Sequence, residues 1–492
     1  MLGTVTAAGH PAGVQDAPGP APTFLRTLGP VDGALITIGA TVGSGIFLIT
    51  GDIARRLPHP GLILILWVGG GLFALFGGLA YSELGSMFPR AGGQYHFLKE
   101  AYGRLWGFLF GWTSFLVIMT GGIAAIAVGF GEYLGALVPG FAPDRELLAL
   151  GAGGFRWSVD GAQATGALAI VGLTGINWLG VRQGAGVQNA ATVLKVAALA
   201  ALVGIGLSVP GPAAPTWWAP LPREGLVAGL GLGLVAVLWA FDGWYVLTFS
   251  AGELRRPERN LPRGLLLGIA VVTALYATIN WVYLRALDVG TLARTSRVGE
   301  AAASALLGPG AARAVAVIIL LSMFGCLAAN ILCCARIYQP MAEDGVFFRA
   351  LARIDPRHHT PSNSLLAQGA LGTAIALSGT YADLYTTVVF AGVLFHAATA
   401  AAVFVLRRRR PDAPRPARAW GHPWTTGAFI ASCLGLAAVT LVQTPVRSAL
   451  GLLLIASGLP AYAWWTRSKP VPVAGEGGCI ATSPIDEVHR AR

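Results

Sequence analysis

The residues of this chain best able to do chemistry lie inside apolar segments. One segment is interrupted at Gly39-Ala40-Thr41-Val42-Gly43-Ser44-Gly45-Ile46-Phe47, and another at Trp239-Ala240-Phe241-Asp242-Gly243-Trp244. Glycine in a helix costs about 1 kcal/mol relative to alanine, so the cluster Gly39, Gly43 and Gly45 invites the backbone to unwind. Unwound backbone is tolerated at membrane depth where it lines a polar cavity. N–H groups freed at the start of a half-helix carry partial positive charge and suit a carboxylate. Carbonyls freed at the end of the other half suit an ammonium. A zwitterion presents both groups close together, so one unwound turn can grip each. Close helix packing by small residues is the competing reading. It is the stronger one for a lone Gly-x-Gly, whereas the matched pair favours binding.

Two charges stand out in the same apolar setting. Lys195 lies about 15 Å past the start of its segment at 1.5 Å per residue, too deep for its stem to reach the interface. An unpartnered cation there costs about 2.5–3.5 kcal/mol, so a partner is expected, in a structural pair or at a functional site. Asp242 sits beside the second interruption. It can bond freed backbone N–H groups, attract a cationic substrate side chain, or pair with Lys195, and the sequence leaves all three open. Asn330 and Ser322 are expected to serve packing near the lysine, and Glu83 to meet the loop from Arg90 to Arg104. The run Arg407 to Arg410 is expected to lie against anionic headgroups.

The elements that must position these residues are membrane spans. Of 492 residues, 54% are hydrophobic and 12% charged, against about 25% charged in a soluble domain. Twelve apolar stretches of spanning length occur at roughly 31–56, 60–85, 105–138, 162–180, 185–208, 225–250, 263–286, 311–339, 362–380, 384–406, 423–443 and 446–466. A soluble multidomain protein is excluded. The net charge of +11 does not point to nucleic acid, because the arginines are spread over short loops. The five cysteines have no metal-ligand spacing, and neither cofactor nor metal is expected.

An even span count puts both termini on one side. That side carries 23 of the 34 Lys and Arg residues, the other carries 10, and Lys195 is within a span. The positive-inside rule then makes both termini cytoplasmic, and an arginine-rich, lysine-poor composition suggests a bacterial inner membrane. Residues 1–30 and 467–492 read as disordered cytoplasmic tails, with no signal peptide in the first.

Spans one and six lead two five-span sets, 31–208 and 225–406, followed by spans eleven and twelve at 423–466. An odd number of spans per set forces the second set to be inverted. Paired interruptions at corresponding places are the best sequence pointer to a transporter's binding site. A channel would need a continuous polar pore. An enzyme would need a nucleophile–base or metal constellation, and none is apparent. A sensor would carry an output domain, which leaves only an amino-acid-sensing transceptor role.

The motifs make a family resemblance specific. Gly43-Ser44-Gly45-Ile46-Phe47, Tyr81-Ser82-Glu83-Leu84-Gly85, Pro89-Arg90-Ala91-Gly92-Gly93-Gln94-Tyr95, Asn177 with Gly180, Val187-Gln188 ahead of Lys195, Gly252-Glu253-Leu254 with Pro257, Arg259, Asn260 and Pro262, and Arg336 with Glu343-Asp344-Gly345 recur in order. The chain resembles the amino acid–polyamine–organocation superfamily, in its L-type amino acid transporter branch, strongly over residues 30 to about 345. The resemblance implies an all-α integral membrane protein of twelve helices, with a five-plus-five inverted repeat, discontinuous helices one and six, and two extra helices. It implies sodium-independent transport of L-amino acids by alternating access, as exchanger or proton symporter.

By that resemblance, the substrate carboxylate meets the N–H groups of Ser44 and Gly45. Its amino group meets carbonyls near Ala40 and Trp239, and Trp239 doubles as the gating aromatic. Gly43, Ile46, Ala240, Phe241, Asp242 and Gly243 complete the expected site. Lys195 takes the place of a sodium ion and could couple transport to protons. An aspartate equivalent to Asp242 serves relatives handling dibasic amino acids, so a dibasic, polyamine or organic-cation carrier is the alternative. Animal L-type transporters join a glycoprotein through a cysteine between spans three and four. Residues 139–161 contain none, so no covalent heavy-chain partner is expected.

Overall fold

The computed structural model describes residues 24–467, apart from 153–154, 214, 219, 222–224 and 379–380. The expected tails at 1–30 and 467–492 therefore lie almost wholly outside the described residues. Leu28 is described, and it forms a parallel bridge with Leu254: its N–H donates to the Glu253 carbonyl at 3.0 Å, and its own carbonyl accepts from Arg255 N–H at 2.9 Å.

The chain opens with α1 (Pro30–Thr41), α2 (Gly45–Arg56), α3 (Pro60–Met87), α4 (Gln94–Tyr102), α5 (Arg104–Thr113) and α6 (Met119–Leu137), the last two joined by a π-helical turn at Ser114–Ile118. A hairpin of β1 (Glu146–Ala152) and β2 (Phe155–Asp160) leads to α7 (Gly161–Trp178), α8 (Val181–Ser208) and α9 (Leu226–Phe241). Then come α10 (Pro257–Ala286), α11 (Val289–Arg294), α12 (Val298–Leu307), α13 (Pro309–Cys334) and α14 (Tyr338–Glu343). The last four are α15 (Ser362–Ala376), α16 (Tyr381–Arg409), α17 (Trp424–Gln443) and α18 (Pro445–Arg467).

Among the described residues, nine helical stretches are long and apolar enough to cross a bilayer, and α1 with α2, bent by 41° at their break, makes a tenth. The expected fourth and ninth spans fall short of that measure. In α7, Gln163, Thr165, Thr174 and Asn177 dilute the apolar run. The 15 residues of α15 reach only about 23 Å, less than the ~30 Å hydrocarbon thickness. The two pack against each other and against α6. The protein is thus a largely helical, multi-pass membrane protein.

The β-hairpin is a departure from the all-α expectation. Its strands lie in the connection between α6 and α7 and pair antiparallel, from Glu146 with Asp160 to Ala152 with Phe155. Asp160 ends the hairpin and caps α7, accepting from Gln163 N–H at 2.8 Å, while Gln163 Oε1 accepts from Asp160 N–H at 3.0 Å. Such a reciprocal box satisfies two of the amides a helix start leaves unbonded.

Local chemistry starts α1 cleanly. Pro30 occupies the first turn, where a missing N–H costs nothing, and the Asp32 carboxylate accepts from Gly29 N–H at 2.7 Å. Residues Ile36 to Thr41 are all buried, so this helix is surrounded by protein. It packs against α8, α10 and α13, while α2 packs against α9. The two interrupted spans thereby meet at the centre of the molecule.

Charges cluster at the membrane face from which α1 starts. Arg336 and Glu253, both fully buried, form a bidentate pair with N–O distances of 2.8–3.0 Å. Glu83 was expected to meet the loop from Arg90 to Arg104. Instead it accepts from Arg407 at 2.6 Å and from Ala419 N–H at 2.7 Å, with Arg415 at 3.4 Å. Helix α16 packs on α3 and brings the guanidinium to a carboxylate at the end of α3. Lys99 instead pairs with Asp344 at 2.5 Å, and Arg104 donates to the Asp344 carbonyl. Arg409 and Arg410, expected at headgroups, bond the Ala101 carbonyl and Glu100 at 2.8 Å each.

Candidate binding site between two broken helices

Helix α1 stops at Thr41. Gly43 N–H donates to the Thr41 carbonyl at 2.9 Å, not to Gly39 as a continuing helix would require, so the last carbonyls of α1 are left without their helical partners. Side chains take them up. Lys195 Nζ donates to the carbonyls of Gly39 at 2.8 Å, Val42 at 2.7 Å and Ser322 at 3.3 Å. Ser322 Oγ adds a bond to the Val42 carbonyl at 3.2 Å. Tyr276 hydroxyl lies 3.1 Å from the Thr41 carbonyl and 3.0 Å from that of Ala240, spanning both breaks. The Ala40 carbonyl has weaker donors: Cys326 Sγ at 3.0 Å and Asn330 Nδ2 at 3.4 Å.

Helix α2 restarts at Gly45, with Ser44 before it. The first amides of any helix have no carbonyl one turn earlier to bond, and this start, at Ser44 and Gly45, lines the space between the breaks. The second break mirrors the first. Helix α9 ends at Phe241, Asp242 is its C-cap, and a 3-10 segment Val246–Glu253 follows.

The two breaks touch through glycine. A Cβ on Gly45 would lie 2.6 Å from the Ala240 Cα, and one on Gly243, whose φ is +99°, would lie 2.5 Å from the Ala40 carbonyl oxygen. Only the absence of a side chain permits either approach.

Between them lies a cavity of about 20 Å³, lined by Ala40, Gly43, Ser44, Gly45, Trp239, Ala240 and Asp242. The remaining lining comes from Thr41, from Ile118, Met119, Gly122 and Ile126, and from Cys326 and Asn330. The volume holds about one water, so the conformation is closed around the gap. Seven of the ten expected binding residues thus line one space. Ile46 is fully buried beside it, and Phe241 lines a neighbouring cavity. Gly243 lies against Ala40 and Thr41, which line that space.

Lys195 does not line the cavity; it holds the α1 carbonyls from behind. It is fully buried, and its hydrogen-bond partners among the described residues are carbonyls, so of the three readings of Asp242 the pair with Lys195 is not the one adopted. The Gly243 N–H and the Tyr245 hydroxyl lie close to the Asp242 carboxylate, which fits a scaffold role, and the residue also lines the cavity.

Sequence reasoning did not identify Tyr276, Cys326 or the Ile118–Gly122 stretch. The signal for the last is faint: a Gly121-Gly122 pair follows the π-helical turn. Such turns are rare and concentrate at functional sites, yet they leave no periodicity to read.

Comparisons with known proteins show the family of the chain. The amino acid permease family profile matches residues 28–463. The chain is 28% identical over 436 residues to the serine/threonine exchanger SteT of Bacillus subtilis, covering 87% of this chain and 94% of that one. It is 28% identical over 429 residues to the human b(0,+)-type amino acid transporter 1, covering 87% and 84% of the two chains. It is 30% identical over 450 residues to the mouse large neutral amino acids transporter small subunit 2, covering 89% and 80%. The chain belongs to the amino acid permease family, in the L-type branch of the amino acid–polyamine–organocation superfamily.

Proposed function

We propose that the chain is a sodium-independent secondary transporter of L-amino acids that works by alternating access, as an exchanger or proton symporter. In this reading α7 and α15 complete twelve spans. Spans one to five and six to ten form inverted repeats, and both termini lie in the cytoplasm of a cell whose inner membrane the protein spans. The substrate carboxylate binds the N–H groups at the Ser44–Ile46 start of α2. Its ammonium takes the Ala40 carbonyl and a carbonyl near Trp239.

One observation carries the reading: a single cavity is walled by both helix breaks. At the Ala40 carbonyl the resident donors are a thiol and a long amide contact. An ammonium forms charge-assisted bonds roughly twice as strong as neutral ones and would displace them. The carbonyls of Gly39 and Val42 already face a cation, Lys195, in the role that a sodium ion would otherwise fill. Relatives named as an exchanger and as amino acid transporters support the same substrate class.

A second reading, transport of dibasic amino acids or other organic cations, is favoured by the Asp242 carboxylate at the cavity wall. Uptake of labelled serine, leucine and arginine into proteoliposomes, empty or preloaded with amino acid, tests both. Uptake that needs internal amino acid and ignores sodium supports the first reading as an exchanger. Preference for arginine supports the second. No uptake of any of the three removes both.

A further inference from the structure

A second cavity of about 20 Å³ adjoins the first and shares Asp242 and Ile118 with it. Its wall includes Phe241, Trp244 and His396. His396, on α16, is 6% exposed. Its Nδ1 shares a 2.8 Å hydrogen bond with the Tyr81 hydroxyl of α3, while Nε2 has no hydrogen-bond partner among the described residues.

Polar groups continue beyond Tyr81. Thr399 and Gln94 lie near its hydroxyl; Gln94 Nε2 donates to Thr399 Oγ1 at 3.1 Å, and Thr399 Oγ1 donates to the Phe395 carbonyl at 2.7 Å. Gln94 is the first residue of α4, outside the spans, and its Oε1 is a buried acceptor with no partner. Polar side chains therefore extend from Tyr81 toward the membrane face from which α1 starts.

The ionisable groups facing His396 are few. Tyr245, of the second break, has its ring centroid 4.5 Å away, Tyr81 is its bonded partner, and Asp242 stands on the wall of the same cavity. From α17 the nearest such group is Cys433, which acts on Tyr81. The π-helical turn contributes only Ile118, and no lysine or arginine lines the cavity among the described residues.

We propose that His396 is the site where a proton is bound and carried with the substrate, with Tyr81 holding its Nδ1 so that Nε2 faces the cavity. The proposal rests on the amino acid transport proposed above. With Nδ1–H donating to the Tyr81 oxygen, the Nε2 lone pair faces the cavity and takes up a proton there, with Asp242 as the countercharge. On release, the same proton leaves Nε2 for water admitted to the cavity when it opens to the face from which α1 starts. One proton enters at Nε2 and one leaves from it, and the imidazole ends neutral in the tautomer in which it began.

The test uses the purified protein in liposomes with labelled serine and leucine. Counterflow at equal pH reads binding and translocation, and uptake into empty vesicles under an acid-outside gradient reads coupling. A gradient of about one pH unit can hold about a tenfold accumulation at one proton per substrate, because each unit is worth about 1.4 kcal/mol. The wild type should accumulate under that gradient. His396→Gln should keep counterflow yet stop at equal concentrations inside and out, and Tyr81→Phe should slow accumulation more than counterflow. Accumulation by His396→Gln to the wild-type level would overturn the proposal, as would a wild type that exchanges but ignores the gradient. Equal loss of counterflow and accumulation in an inserted His396→Gln variant would also overturn it. A wild type with no counterflow would instead remove the transport reading on which it stands.

Discussion

The ammonium of Lys195 donates to the carbonyl of Val42 at 2.7 Å, inside the break of the first span. A cation is thereby covalently tethered at the end of α1, on carbonyls that a helix would otherwise have bonded. Gly39 depends on it most, since Gly43 N–H bonds Thr41 instead.

Lys195→Ala should therefore disable transport while the protein still inserts. A buried carbonyl left without a donor costs about 1–3 kcal/mol, and the break would close or reshape to recover it. Exchange in proteoliposomes should fall more than about tenfold, the equivalent of ~1.4 kcal/mol. Wild-type rates in this variant would show that the tethered charge is dispensable.

Gly45→Leu should abolish substrate binding. Its Cβ alone would lie 2.6 Å from the Ala240 Cα, so α2 and α9 must separate and the N–H groups at the start of α2 lose their aim. Thermal stabilisation of the detergent-solubilised protein by added amino acid reads this directly: the wild type should be stabilised and the variant should not. An equal shift in both would remove the backbone cradle.

Asp242→Asn separates scaffold from charge selection. If the carboxylate serves the Gly243 N–H and the Tyr245 hydroxyl, uptake of serine, leucine and arginine should fall together. If it attracts a cationic side chain, arginine uptake alone should fall. Competition assays against one labelled substrate distinguish the two.

The buried pair Arg336–Glu253 should be costly to split. Glu253→Gln leaves a fully buried guanidinium without its countercharge, a loss of about 3–5 kcal/mol for such pairs. A double replacement, Glu253→Leu with Arg336→Met, should recover much of it, because two apolar side chains need no countercharge. Denaturation midpoints in detergent measure both, and a single variant as stable as the wild type would show the pair to be idle.

His96, in the helix between α3 and α5, gives a pH dependence with a defined sign. Burial, and then the nearby Lys99 ammonium, lower its pKa to about 4, from about 6.5 in an unfolded chain. The unfolded chain then binds more protons between those values, so stability should be lost as pH falls from about 6.5 to about 4. His96→Gln should flatten that part of the curve. An unchanged slope in the variant would place the effect elsewhere.

Much of this site was legible because its signals are local. The glycines at 39, 43 and 45 and the Asp242-Gly243 pair mark the breaks without any knowledge of packing, and Lys195 is conspicuous in an apolar helix. Its partners were not legible, because three carbonyls from two helices carry no side-chain signature. Tyr276, which spans Thr41 and Ala240, was missed for a related reason: an aromatic in a membrane span is ordinarily packing. The pairing of Glu83 with Arg407 depends on how α16 lies against α3, a long-range contact that charge spacing along the chain cannot supply. The hairpin at 146–160 was overlooked because short apolar runs read equally well as loop.

The central claim is that amides released at the start of α2 hold a substrate carboxylate. The most direct measurement is a structure of the purified protein with serine or leucine bound. The account predicts the carboxylate about 3 Å from the N–H groups of Ser44–Ile46, with the ammonium on the Ala40 carbonyl. A bound amino acid whose carboxylate instead rests on a side chain elsewhere, with α1 and α2 joined as one continuous helix, would contradict it.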